Sequence, residues 1–508
     1  MFLISLSFLL VAFGQAVFHP AIATVAAIGG YALFWTKRRS FFLAWAFGAG
    51  IQGVQLSWFA TTEYQGPFII VAYFLICLLM GLLFAGFNQF VRVQYYQKVH
   101  GCVALAGFWA LIEWARLFLF CGYAWNPAGL ALGATLFGRQ LASVGGVLLL
   151  SFAVMLINFL CARAIHSKKI KAVGLWAIAA CAPFAFGMFR VADTKDSPRG
   201  SALLIQSGLF PDQKFPIFPG RQTFIPLESQ WDLALAEVQK ADWIIFPESA
   251  FPFGAHLGVM SQGQIDHLFV KHFGKPTINR LPVWSNMLIA KEIAEMMNAE
   301  VILGLDDEDY NAAFHIKPNG QVTRWEKMRL LPIAECLPFE WLKPLAAVYG
   351  IDGVFKPGKS IPVSDGRVPI AVSICYDECF SHLVRKGRAK GAKLLLNLTN
   401  DAWYPHSRLS RCQFEHGRLR SVENGAPLIR VCNTGVTAAI DCYGRTLGAL
   451  EGEQRGSLLV DIPLSEKQTL YSQFGDFPLI FICFASGITF LLRCLKKSNY
   501  DTLVERYQ

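Results

Sequence analysis

The feature that most constrains this chain is where it carries no charge: residues 2–35 contain no Lys, Arg, Asp or Glu. Apolar runs dominate as far as residue 190 and return at 477–492, while 200–470 has ordinary globular composition. A bilayer core of about 30 Å takes roughly 20 apolar residues as helix. The bulk figures agree. Hydrophobic residues make up 54% and charged ones 16%, against about 45–50% and 25% in soluble proteins. An α-helical membrane bundle interrupted by one folded polar region is therefore expected.

Eight spans are predicted, at 2–18, 19–35, 41–59, 68–90, 101–120, 141–162, 172–190 and 477–493. His19-Pro20 is the obvious turn between the first two. A signal peptide is the alternative for the first, but it lacks a basic start and a second apolar run follows at once. Cytoplasmic loops carry an excess of Lys and Arg. With the N-terminus inside, Lys37-Arg38-Arg39, then Arg92 and Lys98, then Arg163, Lys168, Lys169 and Lys171 all fall inside. The tail adds Arg493, Lys496, Lys497 and Arg506 on the same side, whereas the outer loop 60–67 has no basic residue and 121–140 has only Arg139. The predicted domains are a seven-span part at 1–190, an extracytoplasmic domain at 191–476, and a last span with a cytoplasmic tail at 477–508. The net charge of +10 sits largely in these basic clusters beside apolar runs, so topology accounts for it. No basic-aromatic pattern points to nucleic acid. Within 101–120, Glu113 and Arg116 share one helix face. Charges inside a membrane usually face protein or a wet cavity, so the pair either fixes helix packing or meets a lipid headgroup near the outer mouth.

From residue 201 the pattern changes. Buried strands are expected at 201–205, 243–246, 301–304, 369–374 and 393–397, with helices at 229–240 and 290–298 among them, an α/β alternation. Functional residues of such domains gather past strand C-termini. Three segments fall there: Phe246-Pro247-Glu248-Ser249-Ala250; Glu326-Lys327-Met328-Arg329, followed by Ala334-Glu335-Cys336; and Ser373-Ile374-Cys375-Tyr376-Asp377-Glu378. Singly, each has a bland reading as a helix cap, a solvated lysine or a small buried hydrophobe. The thirteen cysteines show no zinc-ribbon or thioredoxin spacing. His406 and His416 lack ligand spacing too, so no metal is expected.

Taken together and in this order, the three segments resemble the nitrilase (carbon-nitrogen hydrolase) superfamily over roughly 200–465. Tyr310-Asn311-Ala312, Asn400-Asp401-Ala402-Trp403 and the stretch from Arg430 through Asn433 to Thr437 add to the resemblance. With the spans around it, and with Glu113-Trp-Ala-Arg116 and Trp125-Asn126-Pro127, the chain resembles the apolipoprotein N-acyltransferase family. The resemblance implies an αββα sandwich with Cys375 as nucleophile, Glu248 as general base and acid, and Lys327 as oxyanion stabiliser beside the Tyr376 N–H. It implies supporting roles for Glu335, Tyr376, Asp377 and Trp231, and substrate contacts from Asn311, Asn400, Trp403, Glu113 and Arg116. The implied reaction moves an acyl chain from a phospholipid through a Cys375 thioester to the α-amine of a diacylglyceryl-cysteine lipoprotein, without a cofactor, at a bacterial inner membrane with the catalytic domain in the periplasm. Oligomeric state is not encoded legibly, and a monomer is the working expectation.

This sequence departs from the family pattern in Asp377-Glu378 after the cysteine, in Ala334-Glu335-Cys336 and in Trp325. These touch pocket shape and leave the three reactive groups intact. A membrane-anchored hydrolase of small amides is the nearest rival, but it would not need seven spans ahead of the domain. A transporter with a degenerate domain is the other, and it would not need all of Glu248, Lys327 and Cys375. The long stretch 251–297, with its run at Leu268-Phe269-Val270, reads either as a lid over a lipid entrance or as an ordinary surface insertion.

Overall fold

The computed structural model describes all residues except 120–121, 195–196, 217–221, 333–334, 337–343, 345–354, 465–467 and 508, with side chains described to 493. Ala334 of the expected site thus lies outside the described residues. The chain divides into two compact units, one formed by Met1–Leu119, Tyr123–Ala192 and Thr469–Gln508, the other by Phe120–Gly122 and Asp193–Gln468.

The first unit is helical. Three of its helices are long and apolar enough to cross a membrane: Phe68–Phe90, Gly138–Ser167 and Ile170–Arg190. The Phe68–Phe90 helix turns Phe74, Leu75 and Leu79 outward, a side-chain choice that suits hydrocarbon and not water. Of the other expected spans, 477–493 lies within one continuous helix, Phe477–Tyr507, and the rest are shorter or broken. The helix at Phe2–Ala12 has 11 residues, about 16 Å at 1.5 Å per residue. It does not run on to 18 as expected: Phe13, at φ −99 and ψ 9, already leaves the helical backbone, and Pro20 begins the next helix after an extended His19. The next segment starts as helix at Pro20–Val25, loosens into a π turn at Ala26–Gly30 and ends in a 3₁₀ turn at Phe34–Thr36. Asn158 holds that irregular stretch: its Nδ2 donates to the Ala26 and Ala27 carbonyls at 3.3 and 2.9 Å, and its Oδ1 accepts from the Ala32 N–H at 3.0 Å. Irregular backbone at membrane depth persists only where protein groups satisfy it, and Asn158 supplies them.

The second unit holds two six-stranded sheets. The strands, in chain order, are β1 (Arg199–Gln206), β2 (Trp243–Ile245), β3 (Met260–Ser261), β4 (Val283–Trp284), β5 (Glu300–Asp307), β6 (Tyr310–Ile316), β7 (Val322–Glu326), β8 (Ser364–Asp365), β9 (Pro369–Ile374), β10 (Leu394–Thr399), β11 (Leu428–Cys432), β12 (Thr437–Ile440), β13 (Thr446–Leu450) and β14 (Gly456–Pro463). One sheet runs β14-β1-β2-β5-β6-β7 and the other β13-β12-β11-β10-β9-β8, with β3 and β4 a separate ribbon. Each sheet has a parallel centre, β1-β2-β5 and β9-β10-β11, flanked by antiparallel strands. Parallel centres must be covered on both faces. Helices Leu227–Leu235, Gln262–Phe273 and Asn286–Met297 share one apolar core with the first sheet. Helices Ser381–Ala389 and Leu409–Asn424 pack on the second, and the sheets meet through β1 with β11 and through β6 and β7 with β9. The layers are therefore helix, sheet, sheet, helix.

Much of the 251–297 stretch is built into the domain core, while Phe253, Leu257 and Val259 remain exposed. Met260, Ile265, Leu268, Phe269 and Trp284 are buried in the same core as β2 and β5, and only Val270 of the expected apolar run is exposed. The period of the Gln262–Phe273 helix sends Leu268 and Phe269 inward, so the run is a packing face.

Under the second sheet lies a charged core. Arg430, fully buried on β11, pairs with Glu378 and, at 2.7 Å, with Asp401, and its Nε donates to the Val436 carbonyl at 3.2 Å. Breaking a buried pair by removing one partner typically costs about 3–5 kcal/mol, because the remaining charge stays buried. Arg430→Met, which leaves two carboxylates behind, is expected to destabilise by about that amount. A lower thermal unfolding midpoint of the purified protein would read this out. An unchanged midpoint would mean that Glu378 and Asp401 do not need the guanidinium.

Candidate active site

Strand ends bring the expected residues together. Glu248 is the third residue after β2, Lys327 is the first residue after β7, and Cys375 is the first after β9, opening a 3₁₀ turn at Cys375–Cys379. A residue fixed at a strand terminus inherits the rigidity of the sheet, which is what a reacting constellation needs.

Lys327 is the hub. Its Nζ donates to Glu248 Oε1 at 2.9 Å and to Glu335 Oε1 at 2.6 Å, and its side chain is 2% exposed. Burial works against the cation, but the two carboxylates outweigh it and hold the ammonium well above its usual range. Asn311 closes the arrangement: Nδ2 donates to Glu248 Oε1 at 2.7 Å and to Glu335 Oε1 at 3.3 Å. Glu335 is oriented in turn by the Leu331 N–H, 2.7 Å from its Oε2. Asn311, expected as a substrate contact, is placed here as the bridge between two acids.

Cys375 occupies left-handed backbone, φ 48, a conformation that costs a non-glycine residue free energy and recurs where geometry is functional. The surroundings impose it. Asn397 Nδ2 donates to the Cys375 carbonyl at 3.2 Å, and the Asp377 carboxylate accepts from the N–H groups of Ile374, Met328 and Arg329 at 3.3, 3.2 and 2.7 Å. Asp377 thereby ties the cysteine turn to the segment carrying Lys327. Burial raises its carboxyl to about 6 against those three donors and the Lys327 charge. Burial and the Glu248 charge together push the Cys375 thiol up to about 12, with Lys327 pulling the other way. The thiol is thus neutral at rest and needs a base, and the Glu248 carboxylate acts on it electrostatically. Gln413 Nε2 stands 4.0 Å from Sγ.

The remaining expectations divide. The Tyr376 hydroxyl donates to the Gly122 carbonyl at 3.2 Å. Asn400 spends its side chain capping the Asp401–Trp403 turn, accepting from the Ala402 N–H. Trp403 stacks on Phe215, centroids 6.5 Å apart. Trp231 is not brought into the cluster: it lies fully buried in the apolar core, stacked on Phe251 at 3.8 Å, with its indole donating to Asn286 Oδ1. Glu113 and Arg116 belong to the helical unit. Glu113 Oε1 accepts from the Trp109 indole and the Ala128 N–H, both at 2.8 Å, and Arg116 Nη2 donates to the Trp125 carbonyl at 3.0 Å. Each partner differs, so the pair braces the Trp125-Asn126-Pro127 loop instead of forming a simple ion pair. Among the described residues no group of three or more His, Cys, Asp or Glu could hold a metal.

One residue went unnoticed in the sequence. Lys214 is buried, its Nζ donates to Asn433 Oδ1, and Asn433 Nδ2 holds the Glu248 carbonyl at 2.8 Å. Burial lowers Lys214 to about 7 against the pull of Glu248 and Asp306. Nothing in the local sequence of Lys214 distinguishes it from a surface lysine. Its partner Asn433 sits in the motif after β11, so a search for groups facing that motif could have found it.

Comparison with known proteins follows the same division of the chain. Residues 221–471 match the carbon-nitrogen hydrolase family, and residues 7–160 match the apolipoprotein N-acyltransferase N-terminal domain. The chain is 30% identical over 520 aligned positions to an apolipoprotein N-acyltransferase of Chlamydia pneumoniae, covering 95% of each. It is 26% identical over 482 to that of Shewanella oneidensis, covering 91% of this chain and 88% of the relative. A solved amidase from Nesterenkonia sp. aligns at 22% identity over 53% of this chain and 94% of its own, with a TM-score of 0.33. One identity runs through both units and nearly the whole length, and on that ground the chain belongs to the apolipoprotein N-acyltransferase family.

Proposed function

We propose that this enzyme transfers a fatty acyl chain from a membrane phospholipid, by way of a Cys375 thioester, to the α-amine of an N-terminal diacylglyceryl-cysteine on a lipoprotein. The observation that carries the chemistry is one buried ammonium, Lys327, shared by Glu248 and Glu335 at the strand ends that also present a neutral thiol. Family membership supports a lipoprotein acceptor, and the phospholipid donor is part of the proposal.

In the first step Glu248 takes the thiol proton as Sγ attacks the ester carbonyl of the phospholipid. Lys327 and the Tyr376 N–H stabilise the developing oxyanion. The tetrahedral intermediate collapses, the C–O bond breaks, and the leaving alkoxide takes the proton back from Glu248 as lysophospholipid departs. In the second step the neutral amine attacks the thioester and Glu248 removes its proton. Expulsion of the thiolate leaves an amide, and Glu248 returns the proton to sulfur. Glu335 serves the pair by holding Lys327 at fixed charge through both steps. A small-amide hydrolase would use the same groups; the helical unit favours substrates that live in a bilayer.

The proposed topology has eight spans with the catalytic unit in the periplasm, and the loop charges support it. The shorter helices would then need a locally thinned bilayer or irregular segments that complete the crossing inside the bundle. Alkaline phosphatase fused after residue 65 or 194, with the preceding spans retained, should be active, and fused after 38 or 95 inactive. Activity after 38 would reverse the assignment.

Intact-mass spectrometry after incubation with phospholipid should show a hydroxylamine-sensitive gain of one acyl chain, absent from Cys375→Ala. A folded wild type that stays unmodified would turn the reading towards the small-amide hydrolase. Lys327→Met removes the shared cation, and by analogy with loss of an oxyanion donor it should slow acylation by roughly 10²–10³-fold. A loss below about tenfold would take Lys327 out of the transition state.

A further inference from the structure

The helical unit contains a second site, far in sequence from the catalytic strands. A cleft of about 490 Å³ opens where the Lys37–Arg39 turn meets the stretch after the Phe68–Phe90 helix, lined by Trp35, Lys37, Arg38, Arg39, Asn88 and Arg92 among others. That volume falls in the roughly 300–1,000 Å³ range of small-molecule sites. No Asp or Glu lines it, and no ion pair neutralises any of its four cations among the described residues.

The shortage of counter-charge is wider than the cleft. Residues 1–192 contain two carboxylates, Glu63 and Glu113. Glu63 belongs to the loop that joins the far ends of the Phe41–Gln55 and Phe68–Phe90 helices, and Glu113 is buried on its own partners. Residues 1–192 thus bring no carboxylate to these four cations, and although the C-terminal tail of the same unit carries Asp501 and Glu505, a bound anion is a fitting counter-charge for the cleft itself.

The frame of the cleft is rigid before any ligand arrives. Asn88 Oδ1 accepts from the Trp35 indole at 3.1 Å while its Nδ2 donates to the Arg39 carbonyl at 3.2 Å. Tyr96 donates to the Trp35 carbonyl at 2.9 Å, and Arg39 Nε donates to the Phe34 carbonyl at 2.9 Å. Asn88 thus fastens the basic turn to the helix end, and Trp35 and Tyr96, both nearly fully buried, form the floor. Chain segments flanking the cleft expose Phe41, Phe42 and Phe90, which are costly in water and natural against acyl chains.

We propose that this cleft binds the phosphate headgroup of an anionic phospholipid whose chains lie against the exposed aromatic residues. Guanidinium groups pair with phosphate oxygens bidentately, and basic pockets between membrane helices on the cytoplasmic side are suited to such headgroups. The proposal rests on these helices crossing a membrane. It is independent of the chemistry at Cys375. Bound lipid would fix the loop that the positive-inside pattern places at the cytoplasmic face, in the leaflet opposite the proposed reaction.

The test uses the full-length purified protein in neutral detergent, titrated with phosphatidylglycerol or phosphatidylcholine and read by native mass spectrometry. The cleft variant is Lys37→Gln/Arg38→Gln/Arg92→Gln, which spares the structural Arg39. The control, Lys168→Gln/Lys169→Gln/Lys171→Gln, removes equal charge from another basic loop. Wild type and control should retain one phosphatidylglycerol more than the cleft variant, whose affinity at that site should fall about tenfold or further. Excess inorganic phosphate should not displace it. Equal losses in both variants would reduce the effect to general surface attraction, and no preference over phosphatidylcholine would also overturn the proposal. Displacement by inorganic phosphate would make the site one for free phosphate and overturn the lipid. Acyl-enzyme formation in the cleft variant should persist. If wild type formed no acyl-enzyme yet kept the lipid, the catalytic reading would fall and this one would stand.

Discussion

Everything at the proposed catalytic centre depends on a lysine that should not be stable where it is. Moving one ammonium out of water costs several kcal/mol even after relaxation, and Lys327 is 2% exposed. It stays charged because two carboxylates share it, and each is held by further donors: Asn311 on both, the Leu331 N–H on Glu335 and the Asn433 hold on the Glu248 backbone. The cluster works as a unit. A single carboxylate would neutralise Lys327 into an inert ion pair. Two leave one negative charge in excess, and in the proposed mechanism that excess is the base for a thiol that burial pushes up.

The same logic explains the strained cysteine. Placing Sγ at the mouth of β9 requires left-handed backbone, and the compensation lies in bonds from both directions. Asp377 collects three N–H groups, two of them from the lysine segment, so the nucleophile and the electrostatic hub cannot move apart without losing them. Beneath, Arg430 pairs with both Glu378 and Asp401 and offsets part of their charge, and Asp401 still adds to the push that raises the thiol. Two adjacent acids after the cysteine thus face opposite ways and do different work, a division that Asp377-Glu378 as a string does not reveal.

What could be read beforehand follows from what each signal measures. The five expected strands were legible because buried parallel strands are short continuous apolar runs, and Glu248 and Cys375, just past two of them, needed only that placement to stand out, whereas Lys327 follows β7, which was not among the five. Lys214 was not legible, because its burial comes from Asn433, 219 positions away. Trp231 misled for the same reason: proximity in a motif says nothing about which side of a helix faces the core, and here the indole turns into it. The apolar runs at 2–35 show the limit of composition. It reports hydrophobicity faithfully, but the helix is broken locally, at Phe13 and again at the loosened turn Ala26–Gly30.

That loosened turn bears on why the enzyme carries so much apolar protein. A straight helix needs nothing from its neighbours, whereas the Ala26–Gly30 turn must have its carbonyls answered by Asn158 from the Ala142–Ser167 helix. Glu113 and Arg116 do the same for the Trp125-Asn126-Pro127 loop, where Asn126 sits at φ 51. Buried polar side chains used as backbone partners make a bundle specific and stiff, at a cost that a simple anchor would have no reason to bear. A membrane tether could be made from one uniform apolar helix. A unit that spends Asn158, Glu113 and Arg116 on irregular backbone is shaped for something, and lipid substrates that must be presented in one orientation are the demand such shape would meet.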